Sequence, residues 1–180
     1  MRLNDVLRYL KVYYKGVDGV EKTIINCAIT AAGASAVGGF FPVLAIPATI
    51  VSCFGAVWTM YVSLCKQLEI PIGENILKVL ASAALTNLTM NLLGSIAIEL
   101  VAAFIPGVGS VASAAITFAS VYLAGMMFMN MLLALAKKGK VGADLNNMSQ
   151  DDLKHHMQQQ TPTKEDLKDA KVAFNSNYSR

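Results

Sequence analysis

The sequence predicts an all-α protein: two apolar helical hairpins, that is four long helices, with an N-terminal amphipathic helix and a polar helical tail. Three observations predict it. Hydrophobic residues make up 54% of the 180 and charged residues 15%, against about 25% charged in ordinary globular domains. The charges are also segregated. Residues 1–22 hold five basic and three acidic side chains, residues 137–180 hold eight and six, and the 114 residues between them hold only Lys66, Glu69, Glu74, Lys78 and Glu99. Finally, proline and glycine cut this uncharged middle into helix-length pieces. The chain therefore divides into an amphipathic helix over 1–22, a hydrophobic four-helix domain over 23–140 and a polar tail over 141–180.

In residues 3–20, Leu3, Val6, Leu7, Leu10, Tyr13, Tyr14, Val17 and Val20 recur at helical spacing, with Arg8, Lys11 and Lys15 on the other side. Such a helix can lie in a membrane interface or pack its apolar face on the rest of the protein. Gly16 and Gly19 end or kink it. The first apolar helix is expected over 22–40, crowded with Ala28, Ala31, Ala32, Gly33, Ala34 and Gly38, residues that let helices approach closely. Pro42 and Pro47 are expected to break the chain, since proline lacks an N–H and disfavours helix before it. The second helix then runs over 48–67. A polar link with Pro71 and Gly73 leads to the third, over 75–104. A turn at Pro106, Gly107 and Gly109 leads to the fourth, over 111–136, which Lys137, Lys138 and Lys140 terminate.

A soluble helix needs a polar face, and no Asp, Glu, Lys or Arg occurs in residues 23–65 or 100–136. These stretches are expected to be sheltered by a lipid membrane, or by other copies in a homo-oligomer. About 20 apolar residues cross a bilayer core, and all four helices approach that length. Basic residues mark cytoplasmic loops. They flank the four helices and the central link but are missing from both hairpin turns. That pattern places both termini in the cytoplasm and the hairpins in the inner membrane, either spanning it or dipping into one leaflet. Arg8, Lys11, Lys15, Lys137, Lys138 and Lys140 would then lie at the interface.

In the third helix Asn87, Asn91, Ser95 and Glu99 recur every four residues, on one face. Intramembrane polar residues face a bundle interior or a watery path. The stripe can therefore glue helices, line a path or meet a partner, and Asn26 and Asn130 could bond across to it. In the tail, Ser149 and Asp152 form a capping-box pattern for a short helix to about residue 160, and Thr161–Pro162 suits a second helix start, running to about Phe174. Both tail helices read as solvated and marginal.

Enzymatic constellations are missing from the sequence. PGVGS lacks the lysine of a phosphate-binding loop, and no GxSxG elbow occurs. The two histidines, His155 and His156, are adjacent, which suits neither a metal pair nor a catalytic base. Cys27, Cys53 and Cys65 lack metal-site spacing. Net charge is +3 with no basic stripe interleaved with aromatics, so nucleic acid is not an expected partner. The chain reads as a non-enzyme without cofactor.

The segments INCAITAAGASAVGGFFP, IPATIVSCFGAVWTMYVSLCKQLEI and above all FIPGVGSVASAAITFASVYLAGMMF resemble the bacterial YcjF-like family, a GTPase-associated domain of unknown function. The resemblance covers about two thirds of the chain. It departs where the family places a glycine and an acid after the first proline turn, here Ala48, Thr49 and Ile50. It implies a helical, membrane-associated accessory module that recruits or regulates a GTPase partner in trans, and it supplies no catalytic residue. The alternatives are a pore-forming or holin-like protein, which small-residue hairpins and the polar stripe could build, and a soluble oligomeric helical scaffold.

Overall fold

A computed structural model describes residues 2–38, 42–91 and 109–178. These residues are helical, with no strand among them: α1 Leu3–Leu10, α2 Val20–Gly38, α3 Pro42–Gln67, α4 Glu74–Asn91, α5 Gly109–Lys137, the single turn α6 Ala143–Asn146, α7 Gln150–Gln158 and α8 Lys164–Tyr178.

Helix α5 is the axis of the molecule. At about 1.5 Å per residue its 29 residues rise roughly 43 Å, and it packs against α1, α2, α3, α4, α7 and α8. From Val121 to Met129 every side chain is buried. The sequence gives α5 no polar face because neighbours cover every side of it. Lipid or a second subunit is thus not required to shelter residues 114–136, contrary to the expectation from charge alone. The shelter comes from α2, α3 and α4 together with the N-terminal helix and the tail, two segments that the charge pattern sets apart from the hydrophobic domain.

Helix α2 runs antiparallel to α5. They pack tightly at Gly125, where a Cβ would lie 2.9 Å from Cγ2 and 3.0 Å from Cγ1 of the buried Ile24. From α3, Tyr61 stacks on Phe128 of α5 at 4.4 Å, and its hydroxyl donates to the Ala124 carbonyl at 2.9 Å. The hydroxyl thus keeps a partner although the ring is fully buried, as burial of a polar group demands.

Among the described residues, helix boundaries differ from expectation in three places. Helix α1 stops at Leu10, because the backbone turns through residues 11–13 and then takes positive φ at Gly16 (74°) and Gly19 (100°). Helix α3 starts at Pro42 and runs through Pro47. Pro42 sits at the first helical position, where its missing N–H costs nothing. Pro47 lies close enough to the start to remove a single early hydrogen bond. Gly109 is the first residue of α5 and not part of a turn. The third expected helix is described as α4 up to Asn91 only; its continuation to 104, with Ser95, Glu99, Pro106 and Gly107, lies outside the described residues.

Helices α3 and α5 end alike. In each the N–H three residues past the end reaches back five positions, Ile70 to Cys65 O at 2.8 Å and Lys140 to Leu135 O at 3.0 Å. This closure needs a left-handed residue in between. Gly139 (φ 75°) serves for α5, while Glu69 (φ 55°) takes that role for α3. Gln67, on the last turn of α3, is a clasp. Its amide nitrogen donates to the carbonyls of Gly16 (2.8 Å) and Asp18 (3.1 Å), and its oxygen accepts from Thr23 Oγ1 (3.0 Å).

The tail is not marginal. Helix α7 packs on α4, burying Leu153 and Met157, and α8 packs on α5, burying Ala170 and Phe174. Ser149 caps α7 as its spacing predicts, accepting from the Asp152 N–H at 3.1 Å. Helix α8 begins two residues later than Pro162 suggests. The reason is a reciprocal cap: Asp166 Oδ2 accepts from Thr163 N (2.8 Å) and Thr163 Oγ1 (2.9 Å), and Thr163 Oγ1 faces the Asp166 N–H (3.3 Å). Asp166 is only 5% exposed and has its bonds within this cap.

Candidate functional site

Four of the five charges between residues 23 and 136 lie at one end of the bundle. Lys66 ends α3, Glu69 lies in the link, and Glu74 and Lys78 open α4. Lys137, Lys138 and Lys140 leave α5 at the same end, and α1 packs there, because Lys137 Nζ sits 5.6 Å from the Tyr9 ring centroid. We call this end the base. The fifth charge, Glu99, is outside the described residues. In the sequence, the segments 36–52 and 89–113 contain no other charge.

The expected interfacial basic residues are brought together at the base. Arg8, Lys11, Lys15, Lys137, Lys138 and Lys140 are all exposed, and Lys11 is paired with Asp18. The apolar face of α1 is not free to enter an interface. Leu3, Val6, Leu7 and Leu10 are buried against the protein, so the packing alternative describes α1.

The polar stripe is described at Asn87 alone. Its Nδ2 donates to the backbone carbonyls of Gln158 (2.9 Å) and Gln160 (3.2 Å). Asn87 therefore holds the turn between α7 and α8 on the side of α4. The Asn91 side chain, Ser95 and Glu99 lie outside the described residues. Asn26 faces outward on α2, and Asn130 lines a small cleft beside Gln160 and Pro162; neither bonds to Asn87.

Between α2 and α3 runs a shallow groove of about 390 Å³, lined by Asn26, Thr30, Ala34, Gly55 and Thr59 among others. It is uncharged and mostly apolar, and its lining side chains are small.

Cys65 is buried, and burial pushes its thiol up to about 12, so it stays protonated and a poor nucleophile at neutral pH. Tyr14 next to it is likewise pushed up to about 12, by burial first and by Cys65 second. No cluster of three or more His, Cys, Asp or Glu suited to a metal ion is found among the described residues. One stretch among them, Ala114–Lys137, is long and apolar enough to cross a membrane, and most of it is buried inside the protein.

No family model matches the chain, and neither a curated protein nor a solved structure shows significant similarity to it.

What sequence reasoning missed is the tail's role as cover. The signal was present: Leu153, Met157, Leu167, Ala170 and Phe174 fall at helical spacing among charges, the pattern of a helix with one buried face.

Proposed function

We propose that the chain is a non-enzymatic accessory module associated with a membrane. In this reading two apolar hairpins, α2 with α3 and α4 with α5, direct their uncharged ends into lipid, and the charged base with both termini stays in the cytoplasm at the inner membrane. The observation that carries the reading is the one-ended charge of the bundle. Every described charge on α2 to α5 sits at the base, whereas segments 36–52 and 89–113 hold Glu99 alone.

The tail favours shallow insertion over spanning. Helix α8 carries Lys164, Glu165, Lys168, Asp169 and Lys171, and it lies along α5 as far as Phe118, whose ring meets Phe174 edge-on at 5.4 Å. Such charges cost about 2.5–3.5 kcal/mol each at the centre of a bilayer. With the tail docked, lipid is reached only beyond Phe118. Use of Asn87 to hold the tail weighs against a channel lined by the stripe. The likeness to the YcjF-like family adds a GTPase as the kind of partner such a module serves in trans.

Carbonate extraction and vesicle flotation test the reading. The wild-type chain is expected to stay with membranes, and Phe41→Asp with Ile105→Asp to release it. A wild-type chain that washes off as a folded monomer would overturn it.

A further inference from the structure

Only four large hydrophobic side chains are strongly exposed among the described residues, and three of them are neighbours: Tyr9 (53%), Val12 (79%) and Tyr13 (44%). At spacings of three and four they form one outward stripe, which continues past α1 because Tyr13 N still bonds to Leu10 O at 2.9 Å. Random exposure of single apolar residues is ordinary, but a cluster marks an interaction surface.

Its surroundings are basic. Arg8 and Lys15 flank the stripe in sequence, and Lys137 reaches it from α5 across the Tyr9 ring. Lys138 and Lys140 follow. Among the described residues none of these five makes an ion pair; Asp18 is taken by Lys11, and Asp5 is the one carboxylate on α1. The platform is also rigid, since the opposite face of α1 is locked into the core at Leu3, Val6, Leu7 and Leu10. A preformed surface loses little entropy when it binds, and tyrosine and arginine are the residue types that dominate binding energy.

We propose that this aromatic-basic patch docks an acidic amphipathic helix of a partner protein, its carboxylates meeting Arg8, Lys15 and Lys137 and its apolar stripe covering Val12. The proposal rests on the reading above in one respect: with the uncharged end in lipid, the base stands at the far end of a helix about 43 Å long, so what reaches it comes from the aqueous phase. A membrane surface is the other class of ligand this chemistry could suit, and the test separates them.

The probe is a fluorescein-labelled helical peptide of Leu, Ala and Glu, with a Lys-for-Glu peptide as control, titrated by anisotropy against the full chain. The Glu peptide is expected to bind and the Lys peptide not, with binding weakened by salt. Val12→Asp, an exposed site that leaves the fold intact, is expected to weaken it about tenfold or more. Equal binding of both peptides, or no effect of Val12→Asp, overturns the proposal. So does loss of flotation on phosphatidylserine vesicles in Val12→Asp when the Glu peptide does not bind. The Phe41→Asp, Ile105→Asp chain is expected to keep peptide binding, so failure of the membrane reading and failure of this proposal give different results.

Discussion

Helices α3 and α5 read almost alike in sequence: long, apolar, and charged only at their last turn. In the fold they differ. Helix α5 is enclosed by six neighbours, whereas α3 leaves Thr59 exposed and Phe54, Gly55, Trp58 and Val62 half-exposed. Lack of charge therefore records two different situations. In α5 it means that every direction is protein. In α3 it means that the outer face mixes Gly55 and Thr59 with the partly exposed Phe54, Trp58 and Val62 where a soluble helix usually carries ions. Composition alone does not separate the two, because it does not record which distant segments of the chain come to cover a helix.

Substitutions can break this comparison. The largest effect is expected for Leu132→Asp on α5. Leu132 has no exposed surface, and an unpaired carboxylate there costs about 4 kcal/mol or more. Urea unfolding followed by circular dichroism is expected to show an unfolded or barely folded chain. A variant as stable as wild type would mean that α5 is not enclosed.

Next comes Gly125→Ala. The new methyl group meets the Cγ atoms of Ile24, which sit on a branched Cβ and have little freedom to move. Better helix propensity offsets part of the clash, leaving a loss of about 1–2 kcal/mol. Adding Ile24→Ala is expected to cost less in that background than in wild type, and a double-mutant cycle measures the coupling.

Thr59→Lys on α3 sharpens the comparison by doing little. If water bathes that face, stability changes by no more than about 0.5 kcal/mol and flotation is unaltered. Failure of the variant to join membranes would instead place the face of α3 in hydrocarbon.

The smallest effect concerns His156 on α7. Burial lowers its pKa, and Lys138 and His155 lower it further, against a weaker opposite pull from Asp152. A histidine whose folded pKa lies below its unfolded value destabilises the fold only when protonated. Stability is therefore intact above the unfolded pKa of about 6.5 and declines as pH falls through it. Urea midpoints measured at about pH 7.5 and 5.5 are expected to show a small drop, and His156→Gln to reduce it.

Much of this was legible in the sequence. The all-helical class, the start of α7 at Ser149 and the end of α5 near Lys137 all followed from local chemistry. The end of α1 did not, because Tyr14, Val17 and Val20 continue an apolar pattern although the backbone leaves the helix at Leu10. They are buried all the same, Tyr14 and Val17 from a linker and Val20 from the start of α2. Pro47 misled for the opposite reason: a strong local signal was overridden near a helix start. Shelter was the main miss. It depends on which distant segments meet, and Phe174 against Phe118 or Asn87 against Gln158 carries no mark in either partner's neighbourhood. The basic residues of the candidate surface were visible from charge, but the outward turn of Tyr9, Val12 and Tyr13 required the packing of α1.

The clasp at Gln67 also bears on the order of assembly. One side-chain amide closes the segment from Gly16 to Thr23 onto the end of α3, some fifty residues later in the chain. Until α2 and α3 lie side by side, that amide has nothing to hold, and the other attachment of the first eighteen residues, the packing of α1 on α5, draws on a helix still later in the chain. The beginning of the polypeptide is therefore the part that must wait, and pulse-labelled hydrogen exchange during refolding should find the amides of α1 protected after those of α3.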